Sequence, residues 1–104
     1  MIKYKGYQIA PAELESLILT HPDVADAAVI PKDTGTADGE IPKAFVVLRE
    51  GATLSGDDVM AHVADKVAPY KKLREVEFTT SIPKTASGKI LRRELKAAER
   101  EKQA

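Results

Sequence analysis

Cysteine and tryptophan are absent from these 104 residues, and aromatic side chains are confined to three tyrosines and two phenylalanines. Without cysteine there can be neither a disulfide framework nor a thiolate metal site. The two histidines, His21 and His62, lie far apart in sequence with no evident ligand partner nearby. They read as surface or hydrogen-bonded imidazoles, and no metal site is expected. No apolar run approaches the roughly 20 residues of a membrane-spanning helix, and no signal-peptide pattern follows Met1. Sixteen basic and sixteen acidic side chains cancel. There is thus no charge excess to draw the chain to nucleic acid, and the tyrosines are too scattered to stack bases. The expectation is one soluble domain in a reducing, cytoplasmic setting, large enough for a modest core.

The charges that are present are segregated. Acids crowd the middle, from Asp23 to Asp65, while bases gather at Lys3 and Lys5, at Lys71, Lys72 and Arg74, and from Lys84 through Lys102. The last cluster reads mostly as a solvated helix face, because Glu94, Glu99 and Glu101 interrupt it. Ile2 to Ile9 has the look of a short hairpin turning at Lys5-Gly6. Pro11 suits a first helical turn, Leu14, Leu17 and Ile18 form an apolar face behind it, and His21-Pro22 ends that helix.

Val24 to Ile30 predicts a strand. The polar run from Lys32 to Glu40 has no apolar anchor and predicts a mobile loop. Ala44 to Leu48 is uninterruptedly apolar, as in a central strand covered on both faces. Ser55 and Asp58 make a capping-box start for a helix bearing Val59, Val63 and Val67, with Pro69 as its stop. Leu73 to Phe78 supplies a further strand, and the polar tail from Lys96 is expected to fray. Strands and helices alternating around one apolar run imply a small mixed α+β fold: a sheet with about three packed helices and an N-terminal β-hairpin.

The run from Ser81 to Leu95 stands apart. Pro83, Thr85, Ser87 and Gly88 form a loop, and Leu91, Leu95 and Ala98 then recur at helical spacing. Gly88 gives that loop its flexibility, and Lys89 sits where loop meets helix, with an ammonium free to reach an anion outside the domain. A phosphate-binding Walker loop is excluded, since Pro83 and Ile90 occupy positions where it needs glycine and Ser or Thr. On composition alone Lys89 is one solvated lysine among many.

Two longer patterns change that. Pro83-Lys84-Thr85-x-Ser87-Gly88-Lys89-Ile90-x-Arg92-Arg93-x-Leu95 resembles the last signature motif of the adenylate-forming superfamily. Ile2-Lys3-Tyr4-Lys5-Gly6-Tyr7-Gln8-Ile9-Ala10-Pro11-Ala12-Glu13-Leu14-Glu15 resembles its motif just after the hinge between two domains. The likeness covers essentially all of residues 1–104 and is to the small C-terminal lid domain, in the branch of 4-coumarate–CoA ligases, acyl-CoA synthetases and firefly luciferase.

The resemblance implies a role in an AMP-forming ligation: a carboxylic acid is activated by ATP as an acyl-adenylate, and coenzyme A then displaces AMP. It implies Lys89 as the catalytic cation of the first step, touching the carboxylate and the AMP region. It places Lys3, Gln8 and Lys89 at the adenylate, and Lys5 and Gly6 along the path of the coenzyme A thiol. Lys84 and Arg92 are expected at loop or surface positions. The large N-terminal adenylation domain, with the ATP and acyl pockets and Mg2+, would precede Met1. The chain alone is expected to bind no cofactor and to be inactive, and a lysine acetyltransferase acting on Lys89 is an implied regulatory partner. The competing expectation is a non-catalytic module that binds protein or nucleic acid through its basic C-terminal helix.

Overall fold

The computed structural model describes residues 1–103. Strands β1 (Ile2–Tyr4) and β2 (Tyr7–Ile9) form an antiparallel hairpin, followed by helix α1 (Pro11–Leu19). Strands β3 (Val24–Asp33) and β4 (Glu40–Leu48) are antiparallel; helix α2 (Gly56–Ala64) then crosses over to β5 (Glu75–Phe78), which runs parallel to β4. Helix α3 (Arg92–Gln103) closes the described chain. The sheet order β3-β4-β5 makes β4 the central strand, and the α+β architecture expected from the sequence is the one observed.

Strand alternation explains where the helices lie. Ala27, Val29, Ala44 and Val46 face one side of the sheet, where α1, α2 and the hairpin supply Leu14, Ile18, Val59, Val63, Ile2 and Ile9. Ala28, Ile30 and Phe45 face the other side, under Leu95 of α3 and Ile82. Residues 42–46 are buried throughout, so the expected apolar run is covered on both faces from Ala44 to Val46, while Val47 and Leu48 are half-buried. At α2 the Ser55 side chain accepts from the Asp58 N–H while the Asp58 carboxylate accepts from the Ser55 N–H, which is the anticipated capping box.

Three expectations from sequence need correcting. Helix α2 ends at Ala64, so Val67 packs on the core from outside it and Pro69 opens a separate 3-10 turn, Pro69–Lys71. The polar stretch after Lys32 is not without an anchor. β3 runs on to Asp33 and β4 begins at Glu40, and the Thr34 hydroxyl and amide both donate to the Gly39 carbonyl, at 2.7 and 3.0 Å. The tail from Lys96 does not fray over the described residues, remaining helical to Gln103; Ala104 lies outside them.

A buried charge cluster accounts for that last difference. Lys43 is 3% exposed, and on its face of the sheet it meets Glu75 at 3.0 Å, Glu77 at 3.1 Å and Glu99 of α3. The parallel register pairs Lys43 with Glu75 and Phe45 with Glu77, so all four side chains share the α3 face. Lys102 reaches Glu77, and Lys32 reaches Glu75 at 2.8 Å and Glu99 at 3.5 Å. A lone buried ammonium would be costly. Burial does act to lower the Lys43 pKa, but the hydrogen bonds its ammonium donates to Glu99, Glu75 and Glu77 outweigh it and hold the group charged. The carboxyl of Glu77 is held below the usual range, foremost by Lys102. Partial burial acts to raise that of Glu75, but Lys32 and Lys43 overcome it and hold it low as well.

Carboxyls with a lowered folded-state pKa stabilise the fold above their unfolded titration range and lose that contribution as pH falls through their folded-state values. Glu77→Gln should therefore lower the urea-unfolding midpoint near neutral pH. The gap from the parent chain should shrink towards zero on acidification to about pH 3. A gap that stays constant with pH would show that Glu77 acts through packing instead of charge.

Candidate functional site

The hairpin turns at Lys5 (φ 48°) and Gly6 (φ 84°), both left-handed, as a tight two-residue hairpin turn requires. Its register pairs Ile2 with Ile9, both fully buried, and Lys3 with Gln8, both exposed on the opposite face. The side chains assigned to an adenylate therefore stand side by side, pointing away from the core. Tyr4 lies half-buried with the Arg74 guanidinium 5.1 Å from its ring centre, and Tyr7 stacks on Tyr70 at 4.1 Å. A Cβ built on Gly6 meets nothing within 4 Å, so the tip of the hairpin is open.

Lys89 lies in a different part of the surface, in a turn that closes on itself. Lys84 and Ile90 form an isolated antiparallel bridge, the Thr85 N–H donates to the Lys89 carbonyl at 2.8 Å, and the Lys89 N–H donates to the Thr85 hydroxyl at 3.1 Å. Gly88 takes φ 88° and donates its N–H to the Thr85 carbonyl. Lys84 ties the turn to β3 through Asp26 at 2.6 Å. Lys89 itself is exposed, and its ammonium makes no ion pair with the described residues. The turn precedes α3 by two residues, so Lys89 stands slightly ahead of the helix instead of at its first position.

One arrangement was invisible in the sequence. Glu15, on the buried side of α1, accepts from the Val29 N–H at 2.8 Å and from Arg92 Nη2 at 2.5 Å, while Arg92 Nε donates to the Val29 carbonyl at 3.3 Å. Since β3 is an edge strand, Glu15 and Arg92 satisfy backbone groups that a further strand would otherwise pair. Burial raises the Glu15 pKa, against the lowering effect of the Val29 amide and Arg92. Arg92 is thus half-buried and structural. Sequence offered no cue beyond Glu15 and Arg92 standing at helical positions among apolar neighbours.

His21 and His62, distant in sequence, meet edge to face at 5.0 Å, and His62 Nε2 shares a 2.8 Å hydrogen bond with the Thr20 hydroxyl. Among the described residues no group of three or more His, Asp or Glu is placed to hold a metal ion. The basic face of α3 is partly spent internally, Arg92 on Glu15 and Lys102 on Glu77, and the reading of this helix as a general binding surface gains no support. One surface cleft, of about 480 Å3, runs along it between Pro31, Glu40, Arg93, Lys96 and Arg100.

The small α+β domain thus displays a hairpin and a lysine-bearing turn on separate parts of its surface. The chain matches the family described as AMP-binding enzyme C-terminal domain over residues 13–89. It is 58% identical over 96 residues to 4-coumarate–CoA ligase 1 of Oryza sativa subsp. japonica, covering 92% of this chain and 17% of that protein. It is 57% identical over 95 residues to peroxisomal OPC-8:0-CoA ligase 1 of Arabidopsis thaliana, covering 91% and 17%. Among solved structures, Brucella canis acyl-CoA synthetase superposes with a TM-score of 0.91 at 38% identity, over 99% of this chain and 19% of that one. The chain belongs to the AMP-binding enzyme C-terminal domain family, and it spans 17% of the length of these curated relatives.

Removing the hydroxyl that caps Lys89 should loosen the turn without unfolding the domain. Thr85→Val is expected to speed hydrogen exchange at the Lys89 amide by about three- to tenfold, the equivalent of one hydrogen bond. Amides of β4 should be unaffected; an unchanged Lys89 amide would mean that the turn does not depend on Thr85.

Proposed function

We propose that this domain is the lid of an AMP-forming acyl- or aryl-CoA ligase, acting with a large adenylation domain on a carboxylic acid, ATP and coenzyme A. The observation that carries the reading is that the side chains of Lys3, Gln8 and Lys89, singled out by family likeness, are among those left free by the fold. The side chains of Lys3, Gln8 and Lys89 are exposed and make no hydrogen bond or ion pair with the described residues, whereas neighbouring Lys84 and Arg92 are held in ion pairs. The Mg2+ that accompanies ATP belongs to the large domain in this reading.

In the adenylation half, the carboxylate oxygen attacks the α-phosphorus of ATP and pyrophosphate leaves. Negative charge gathers on the phosphoryl oxygens, and the Lys89 ammonium, presented from a closed turn, stabilises it. In the thiol half, the sulfur of coenzyme A attacks the acyl carbonyl of the adenylate and AMP leaves. The hairpin serves this half: Lys3 and Gln8 face the adenylate as a cross-strand pair, and at Gly6 the absence of a side chain leaves room for the pantetheine arm. Because Lys89 and the hairpin tip occupy different segments of the surface, the domain turns between the two halves, a hinge motion of a common type.

The test separates the halves in the full ligase carrying this domain. Lys89→Ala should slow acyl-adenylate formation by about 10²–10³, the usual cost of one charge-stabilising donor, with thioester formation from preformed adenylate retained. Gly6→Asn, whose side chain tolerates a left-handed backbone, should do the reverse. Equal loss in both halves for either variant would overturn the assignment.

A further inference from the structure

We infer that the β3–β4 turn, and Gly39 with Glu40 in particular, is the positioning element that sets the hairpin for the thiol step. This deepens the proposed function and rests on its reading of the hairpin, but the contacts that support it are independent of that reading.

Strand β1 has β2 on one edge. Its other edge is occupied by the polar stretch for which the sequence offered no anchor. Tyr4 and Gly39 form an antiparallel bridge, the Lys5 N–H donates to the Asp38 carbonyl at 2.8 Å, and the Lys3 N–H donates to Glu40 Oε1 at 3.1 Å. Residues 38–40 therefore act as a third strand for the hairpin and bind successive backbone positions at Lys3, Tyr4 and Lys5. These three residues lead directly into the Lys5-Gly6 turn.

The approach is close enough to demand glycine. A Cβ on Gly39 would lie 2.7 Å from the Lys3 carbonyl oxygen, and the residue takes φ 88°. The turn that delivers Gly39 is stiff, because its polar side chains bond to one another. Thr34 is linked to Thr36 at 2.8 Å and to the Gly39 carbonyl at 2.7 Å, and Asp33 caps the Gly35 N–H at 2.8 Å. None of these contacts reaches the Lys89 turn, whose ties run to Asp26 and within residues 83–91. Disturbing Gly39 should shift the hairpin and leave Lys89 where it is.

In the full ligase, Gly39→Ala should slow thioester formation from preformed acyl-adenylate by about 10- to 100-fold, the scale of a displacement of about 1 Å in a reacting site. Adenylation, followed as pyrophosphate exchange, should change by no more than about twofold. Glu40→Ala removes one hydrogen bond without steric strain and should produce a smaller loss in the same half; Glu40→Gln, which keeps an acceptor, should restore it. A thiol step unchanged in both Gly39→Ala and Glu40→Ala, or both halves falling together, overturns the inference. If Gly39→Ala does not fold, the Glu40 pair decides by the same criterion. Gly6→Asn run alongside distinguishes the two levels. A thiol step insensitive to Gly6→Asn removes the hairpin from that step, whereas sensitivity to Gly6→Asn without sensitivity at positions 39 and 40 rejects the positioning role alone.

Discussion

The hydrogen-bonded knot at Val29 holds the working parts of this domain in one frame. Glu15 comes from the helix that follows the hairpin, Arg92 from the first turn of the helix that follows the lysine-bearing turn, and both end on the backbone of Val29 in an edge strand, Glu15 at its N–H and Arg92 at its carbonyl. Neither charge is comfortable alone at that depth. The carboxylate is desolvated enough for its pKa to rise, and removing one partner of such a pair is far costlier than removing both. The knot also does what a sixth strand would do for β3, giving a partner to Val29 at a point where an open edge would invite another chain.

Around that frame the charges divide into two populations. Buried Lys43 and Glu99, with the half-exposed Glu75 and Glu77, fasten α3 to the sheet beside Phe45. Lys3 and Lys89 remain outside and uncommitted. The formal balance of charge over the whole chain hides this division, which depends on the strand register and on which face each lysine occupies.

Much of this was legible beforehand. The hairpin at Lys5-Gly6, the Pro11 helix, the covered strand at Ala44 to Leu48 and the Ser55–Asp58 cap each rest on a local rule of spacing or turn chemistry, and each is where it should be. What escaped was long-range and polar. Glu15 stood out as the end of a motif, Glu99 as part of a solvated helix face, and Lys32 to Glu40 as a mobile loop, because no periodicity marks a polar residue that will find a distant partner. Helix α2 stopping at Ala64 belongs with them: Val67 keeps its place against the core from outside the helix, so apolar spacing alone overran the boundary. For the candidate site, two end motifs singled out two segments far apart in sequence. Their separation into a stacked, pinned hairpin and a closed turn is a fact of the tertiary structure.

The turn that carries Lys89 is knotted to itself by Thr85, bridged by Lys84 and Ile90, and fastened to β3 through Asp26. Such a segment has little conformational entropy left to surrender. In the proposed lid motion the lysine travels already in its final shape, so that the free energy of engagement is set by rotation of a whole body and not by the ordering of a loose segment.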